Sequence, residues 1–244
     1  MSCSLAVALS RGEKMPSLPR KKRKAALEPL WESEGRSSVK REGRALVLEA
    51  AADAFMERGY AATSLDDIAT LLGTTKGQIY HYYRSKIDLY FDVAVGAFYM
   101  INARVGEAAE HEGLSAIERL RRGVHAAAME IMQNYSFHRV ALEATQFQLI
   151  GRRSTTQERA QERIAALRKQ LEMRLGDLIG NAVKEGSLHV PSIPLATKAA
   201  GGSIAWLTVW YDPKRPTPPE KCERIASGVA DFVIGGLCQP EVAP

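Results

Sequence analysis

Leu48, Ala51, Ala52 and Phe55 recur at i, i+3, i+4 and i+7, the spacing of a helix with one buried stripe, and Gly59 follows where a C-terminal glycine would end it. The pattern predicts a first helix over 41–58. Helix-start signals then come repeatedly: Ser64 with Asp67, Thr75 with Gln78, Ser85 with Asp88, Ser115 with Glu118, Thr155 with Glu158, and Thr217 with Glu220. Each is a capping box or its Asp variant, in which two side chains satisfy N–H groups that the first helical turn leaves without partners. Pro218 and Pro219 suit the first turn of a last helix. Between Thr155 and Gly186 a long amphipathic helix is expected, striped by Ile164, Leu167, Leu171, Leu175, Leu178 and Ala182. A closing stripe runs Ile225, Val229, Phe232, Val233, Leu237. No segment alternates β-branched and polar residues as a half-buried strand would. The expected fold is all-α, with about nine helices.

One stretch breaks the apolar habit. After the first helix, "SLDDIATLLG" (Ser64 to Gly73) gives a short helix and a glycine turn, and "TTKGQIYHYY" from Thr74 gives a second short helix. Two short helices about a glycine turn make a helix-turn-helix, whose second member enters a major groove of DNA. Leu65, Ile68, Leu72 and Ile79 would pack the unit and leave Thr75, Lys76, Gln78, Tyr80, His81 and Tyr82 outward. Hydroxyls and Lys suit phosphates, Gln suits adenine edges, and rings and methyls suit thymine. Gly77, without a side chain, lets backbone approach the duplex closely. The plainer alternatives are that Tyr80 packs inward and that Gln78 faces away from the bases.

Charge then separates one region from the rest. Residues 1–44 hold 11 Lys and Arg against 5 Glu, while the remainder has 22 basic and 23 acidic residues, so the whole excess of +5 sits at the N-terminal end. Its centre is "RKKRK", Arg20 to Lys24, set among prolines, glycines and serines without periodicity, and a disordered basic arm over 1–40 is expected. Such an arm is either a solvated tail or a phosphate-binding appendage of a neighbouring DNA-binding domain. A nuclear localisation signal also fits its letters, with nothing else in support. Three cysteines, Cys3, Cys222 and Cys238, are too few and scattered for a disulfide framework, which points to a reducing, cytoplasmic compartment. The longest apolar run, Gly201 to Tyr211, falls short of a bilayer span, and no targeting or membrane segment is expected.

Over Ala50 to Tyr90, "AAADAFMERGYAATSLDDIATLLGTTKGQIYHYYRSKIDLY", the chain resembles the TetR family of bacterial transcriptional regulators. The resemblance lies in the aromatic and Gly-Tyr ending the first helix, the Thr-Ser start of the second, the Ile-Ala pair, and the Lys-Gly-x-Ile-Tyr-x-Tyr-Tyr-x-x-Lys run. Tyr83 stands where the family usually has Phe, and the basic arm is longer than usual. The resemblance implies a DNA-binding domain, here 41–101, then a helical ligand-binding and dimerisation domain, 102–244, and a homodimer on double-stranded operator DNA. It also implies that Ser64, Thr74, Thr75, Lys76, Gly77, Tyr80, His81 and Tyr82 lie at DNA and that Lys86 holds a phosphate, whereas Tyr83 is expected in the core.

The C-terminal part resembles the family less. "GGSIAWLTVWYDPKRPTPPEKCERIASGVADFVIGGL", Gly201 to Leu237, is similar to members that sense acyl-CoA thioesters. An apolar pocket with a few polar anchors is expected between helices. Tyr99, Met129, Met132, Tyr135, Phe147 and Trp206 are candidates for its walls, and His138, Arg152 and Arg153 for its anchors. For each Met and aromatic the plain alternative is ordinary core. Adjacent arginines are common on solvated surface, and Trp206 with Trp210 equally suits a dimer interface. The function expected is a repressor released by a small-molecule effector; an activator, or a sensor of aromatic or hydrophobic compounds, remains the alternative. A helical enzyme or binding module without DNA binding is more remote. "GGSIA", Gly201 to Ala205, nearly matches a nucleophile elbow, but that motif needs a strand leading into its serine. His81, His111, His125, His138 and His189 lack metal-ligand spacing, so no cofactor, metal or catalytic residue is expected.

Overall fold

The computed structural model describes Leu27, Leu30 and residues 38–110, 113–146, 155–213 and 217–237. Ten helical segments fall among these residues: α1 Ser38–Ala62, α2 Leu65–Leu71, α3 Lys76–Tyr82, α4 Lys86–Ala109, α5 Ala116–Gln133, α6 Tyr135–Gln146, α7 Thr155–Lys184, α8 Ile193–Ala205, α9 Leu207–Trp210 and α10 Pro219–Leu237. Trp206 alone separates α8 from α9 and keeps a right-handed helical backbone (φ −61°, ψ −19°), so the two read as one bent helix. No strand occurs among the described residues, and Gly201 to Ala205 lie inside α8. The elbow reading fails with the strand it needs.

Four glycines with positive φ punctuate these helices: Gly59 (77°), Gly73 (62°), Gly113 (82°) and Gly186 (77°). Gly59 breaks α1 one turn before its end, and Thr63 closes that end by donating to the Gly59 and Ala54 carbonyls. Full capping boxes form at Ser64–Asp67 and Ser115–Glu118, and the Ser85 hydroxyl accepts from the Asp88 N–H. One expected cap does not form. Thr75 makes no side-chain cap bond: the Gln78 N–H donates to the Thr75 carbonyl at 3.0 Å, and the Gln78 side chain accepts from the Thr74 hydroxyl. Thr217 is buried and hydrogen-bonds Tyr211, while the Pro218 carbonyl accepts the first bonds of α10.

The buried side chains form two clusters that meet inside α4. The first joins α1, α2, α3, α4 up to Met100, the Phe137–Ala144 part of α6, and Ile164 and Leu167 at the start of α7. The second begins at Ile101 and takes in α5, the rest of α7, and α8 to α10. α4 is therefore shared by both, and no break in the chain marks the 101/102 boundary suggested by sequence. Phe55, Tyr60 and Tyr90 pin α1 to α4 by edge contacts, with centroids 5.3 and 4.9 Å from Tyr90, each adding about 0.5–1.5 kcal/mol to the burial itself.

Leu27 and Leu30 belong to the first cluster, at 0% and 5% exposure. A Cβ on Gly96 of α4 would meet Leu27 at 2.9 Å and Leu30 at 3.5 Å, so the absent side chain makes room for them. The expected arm over 1–40 is corrected at these two positions and from Ser38 onward, where α1 begins. Arg20 to Lys24 lie outside the described residues.

Candidate nucleic-acid interface and effector cavity

α2 and α3 meet across the Gly73 turn, with Leu65, Ile68 and Ile79 buried between them and α1. Burial of Ile79 fixes the rotation of α3, because its neighbours along the helix must then face out. Thr75, Lys76, Gly77, Gln78, Tyr80 and His81 are exposed, together with Ser64, and Thr74 is half-buried. The face holds the intended residues, with local engagements of its own. Lys76 Nζ lies 2.8 Å from Asp66 Oδ2 and 5.6 Å from the Tyr80 ring centre, and its bond to Asp66 raises its pKa. Ser64 is committed to its capping box.

Two expected DNA residues look inward more than sequence suggested. Tyr82 is half-buried, its hydroxyl over Gly43 of α1 at a spot where a Cβ would collide. Lys86 donates to the Tyr60 carbonyl at 2.8 Å and sits 4.4 Å over the Tyr60 ring, so its ammonium caps the end of α1. Tyr83 is buried as expected. Arg44 Nε donates to its hydroxyl at 3.0 Å, the hydroxyl lies 3.1 Å from Asp92 Oδ2, and Arg44 pairs with Asp92 at 2.9 Å. Burial pushes the Tyr83 phenol well above its ordinary value and raises the Asp92 carboxyl, the latter against the opposing pull of Arg44. This triad ties α1, the end of α3 and α4 together, and the sequence reading missed Arg44 and Asp92.

In the second half of the molecule, a cavity of about 370 Å³ opens between α4, α5, α6, α7 and α8. Phe98, Ile101, Ile131, Leu142, Leu171 and Leu175 form its apolar wall. Polar groups reach it from His138, Thr145, Arg168, Glu172, Thr197 and Lys198, and Gly201 and Gly202 leave space along α8. Among the described residues His138 is the one expected effector residue here. It is buried, with Nε2 at 3.5 Å from Glu130 Oε1, and Glu130 is a fully buried carboxylate that accepts from Asn134 at 2.7 Å.

The other expected effector residues among those described go elsewhere. Tyr99 turns to Arg163, whose guanidinium donates to its hydroxyl at 2.8 Å. Met132 is core, Met129 packs at the edge of the second cluster, and Tyr135 donates to the Thr208 carbonyl at 2.8 Å. Trp206 faces outward at 61% exposure and lines one surface depression with Trp210 and Phe232. Phe232 is 70% exposed, because the buried face of α10 is Cys222, Ala226, Ala230, Val233 and Ile234, rotated from the expected stripe. Phe147, Arg152 and Arg153 lie outside the described residues. His125 pairs with Glu223 at 2.9 Å on the surface between α5 and α10. Among the described residues no cluster of His, Cys, Asp or Glu suits a metal, and no helix is long and apolar enough to cross a membrane.

Comparison with known proteins supports both halves. Residues 47–93 match the family "Bacterial regulatory proteins, tetR family", and residues 113–237 match "Tetracyclin repressor-like, C-terminal domain". The HTH-type transcriptional repressor KstR2 of Mycobacterium tuberculosis is 26% identical over 201 residues, 82% of this chain and 94% of that protein. The crystal structure of PfmR, a TetR family transcriptional regulator from Thermus thermophilus, superposes with a TM-score of 0.67 at 27% identity, covering 79% of this chain and 99% of that one. AibR, solved in complex with isovaleryl coenzyme A and operator DNA, has the same fold: TM-score 0.61, 23% identity, 78% of this chain and 97% of that one.

Proposed function

The chain belongs to the tetR family of DNA-binding transcriptional regulators, and from that premise we propose that it is a homodimeric repressor released from its operator by an effector bound in the α4–α8 cavity. The observation that carries this reading is the double duty of α4. Its first turns hold the DNA-binding unit through Lys86 and Asp92, and its middle supplies Phe98, Ile101 and Val105 to the cavity. A ligand that repacks those three side chains acts on the same rigid helix that positions α3. Release follows only if the ligand binds the shifted state more tightly than the DNA-bound one.

Ser64, Thr74 to Gln78, Tyr80 and His81 are the proposed contacts to bases and phosphates, with Tyr82 and Lys86 supporting them from the α1 side. Lys76 would exchange Asp66 for a phosphate on binding. The exposed apolar face of Trp206, Trp210 and Phe232 supports dimerisation through α8–α10, since isolated surface rarely carries such a contiguous aromatic patch. Two copies would set two α3 helices on successive major grooves about 34 Å apart, on a near-palindromic operator. For the effector we take an acyl-CoA thioester, on the apolar cavity and on what AibR is seen to bind.

The test is an electrophoretic mobility shift with DNA from upstream of the protein's own gene. Binding by the wild type, lost in Lys76→Ala and Tyr80→Ala variants with unchanged circular dichroism, is expected. Equal binding by the variants would remove α3 from the interface.

A further inference from the structure

Resting on the reading that the cavity receives the effector, we propose that the effector's head group has a site of its own: the open groove between α7 and α8, where Arg168, Lys169 and Lys184 take an extended polyanion joined to an apolar chain. The groove, about 870 Å³, shares Arg168, Glu172 and Thr197 with the cavity, so the two spaces adjoin at one mouth. A chain lying against Phe98 and Ile131 thus has a way out between helices and along α7.

Charge along that way is asymmetric. Arg168, Lys169 and Lys184 line the groove, and none is ion-paired with a described residue. Lys198, at the mouth, is held 2.7 Å from Glu172, and this bond with the nearby cations lowers the Glu172 pKa. Among the described lining residues Asp177 is the remaining carboxylate, so that four cations stand against two anions. From residue 168 to 184 the helix rises about 24 Å, so its cations are spread rather than focused. One carboxylate would use only one of them, whereas a head with several phosphates uses the spread. The first turn of α8, at Ile193 and Pro194, opens on the same groove and adds the favourable end of a helix dipole. The Lys198–Glu172 pair bridges α8 to α7 across the mouth and must rearrange as the chain enters.

Isothermal titration calorimetry on the full-length protein, with octanoyl coenzyme A, octanoate and coenzyme A as probes, tests this. The thioester is expected to bind at least tenfold more tightly than either part. Lys169→Glu combined with Lys184→Glu, both exposed and outside cavity and DNA unit, should weaken the thioester at least tenfold and leave octanoate unchanged. Gly201→Leu, which adds a side chain where open space lines the cavity, should weaken thioester and octanoate together. The proposal is overturned if the double variant binds the thioester as the wild type does, if octanoate matches the thioester, or if the thioester does not bind. In the last case a neutral apolar compound that binds wild type, fails with Gly201→Leu and releases operator leaves the effector-cavity reading standing. Operator binding without any ligand, measured on the Lys169→Glu/Lys184→Glu variant, is expected to be unaltered.

Discussion

The Tyr83 hydroxyl lies 3.1 Å from Asp92 Oδ2, which fastens the residue that ends the recognition helix to the helix that also walls the cavity. Arg44 completes the contact from α1. Tyr83→Phe would leave Arg44 Nε without its acceptor, and a loss of about 1–3 kcal/mol is expected in denaturant unfolding.

The Asp92 carboxyl has a pH signature. Its folded pKa is raised, burial outweighing Arg44, so the native chain binds this proton more readily than the unfolded one. The contribution of this group to stability therefore grows as pH falls through its folded pKa and is complete below the unfolded value of about 3.9. Asp92→Asn cannot titrate. The stability advantage of wild type over Asp92→Asn should widen on acidification from pH 7, measured by unfolding at several pH values; a constant difference would refute the shift.

Lys76 and Asp66 make opposite predictions from one 2.8 Å contact. Lys76→Ala should weaken operator binding and make the slope of log affinity against log salt shallower by about one unit. Asp66→Asn removes the competing anion and should tighten binding modestly. Titrations at three salt concentrations distinguish the two.

Hydroxyls at helix starts divide into structural and functional ones. Ser115→Ala breaks a formed capping box and should cost about 1 kcal/mol in thermal or denaturant unfolding. Thr75→Ala breaks none, so stability should hold while operator affinity falls. A stability loss at Thr75 equal to that at Ser115 would contradict the assignment.

Phe232→Glu places a charge at the most exposed of the large apolar side chains described. Sedimentation velocity should then show monomers where the wild type shows dimers, and operator affinity should drop sharply while helical content is kept.

The helix-turn-helix was legible because its determinants are local: two capping residues, one glycine with positive φ and one buried isoleucine set the outward face of α3. Local signals failed where helices cross. Arg44 meets Tyr83 and Asp92 over separations of 39 and 48 residues, and no spacing rule encodes that. Large residues such as Met129, Met132 and Trp206 suggest cavity walls in the sequence, but space arises where side chains are small, at Gly123, Ala127, Ala141 and Gly201. The paired glycines inside a predicted helix were the available clue. Trp206 and Phe232 look like core in one dimension because a surface awaiting a partner carries the same residues as a core.

Leu27 and Leu30 against Gly96 bear on the order in which the molecule is made. Their partner comes about seventy residues later in the chain, a long-range contact that closes only after α4 exists. Synthesis delivers these two leucines early, and until α4 is folded they have nowhere to go. A nascent chain halted before Gly96 holds them as exposed apolar side chains, so the first described residues of the sequence are among the last to find their places.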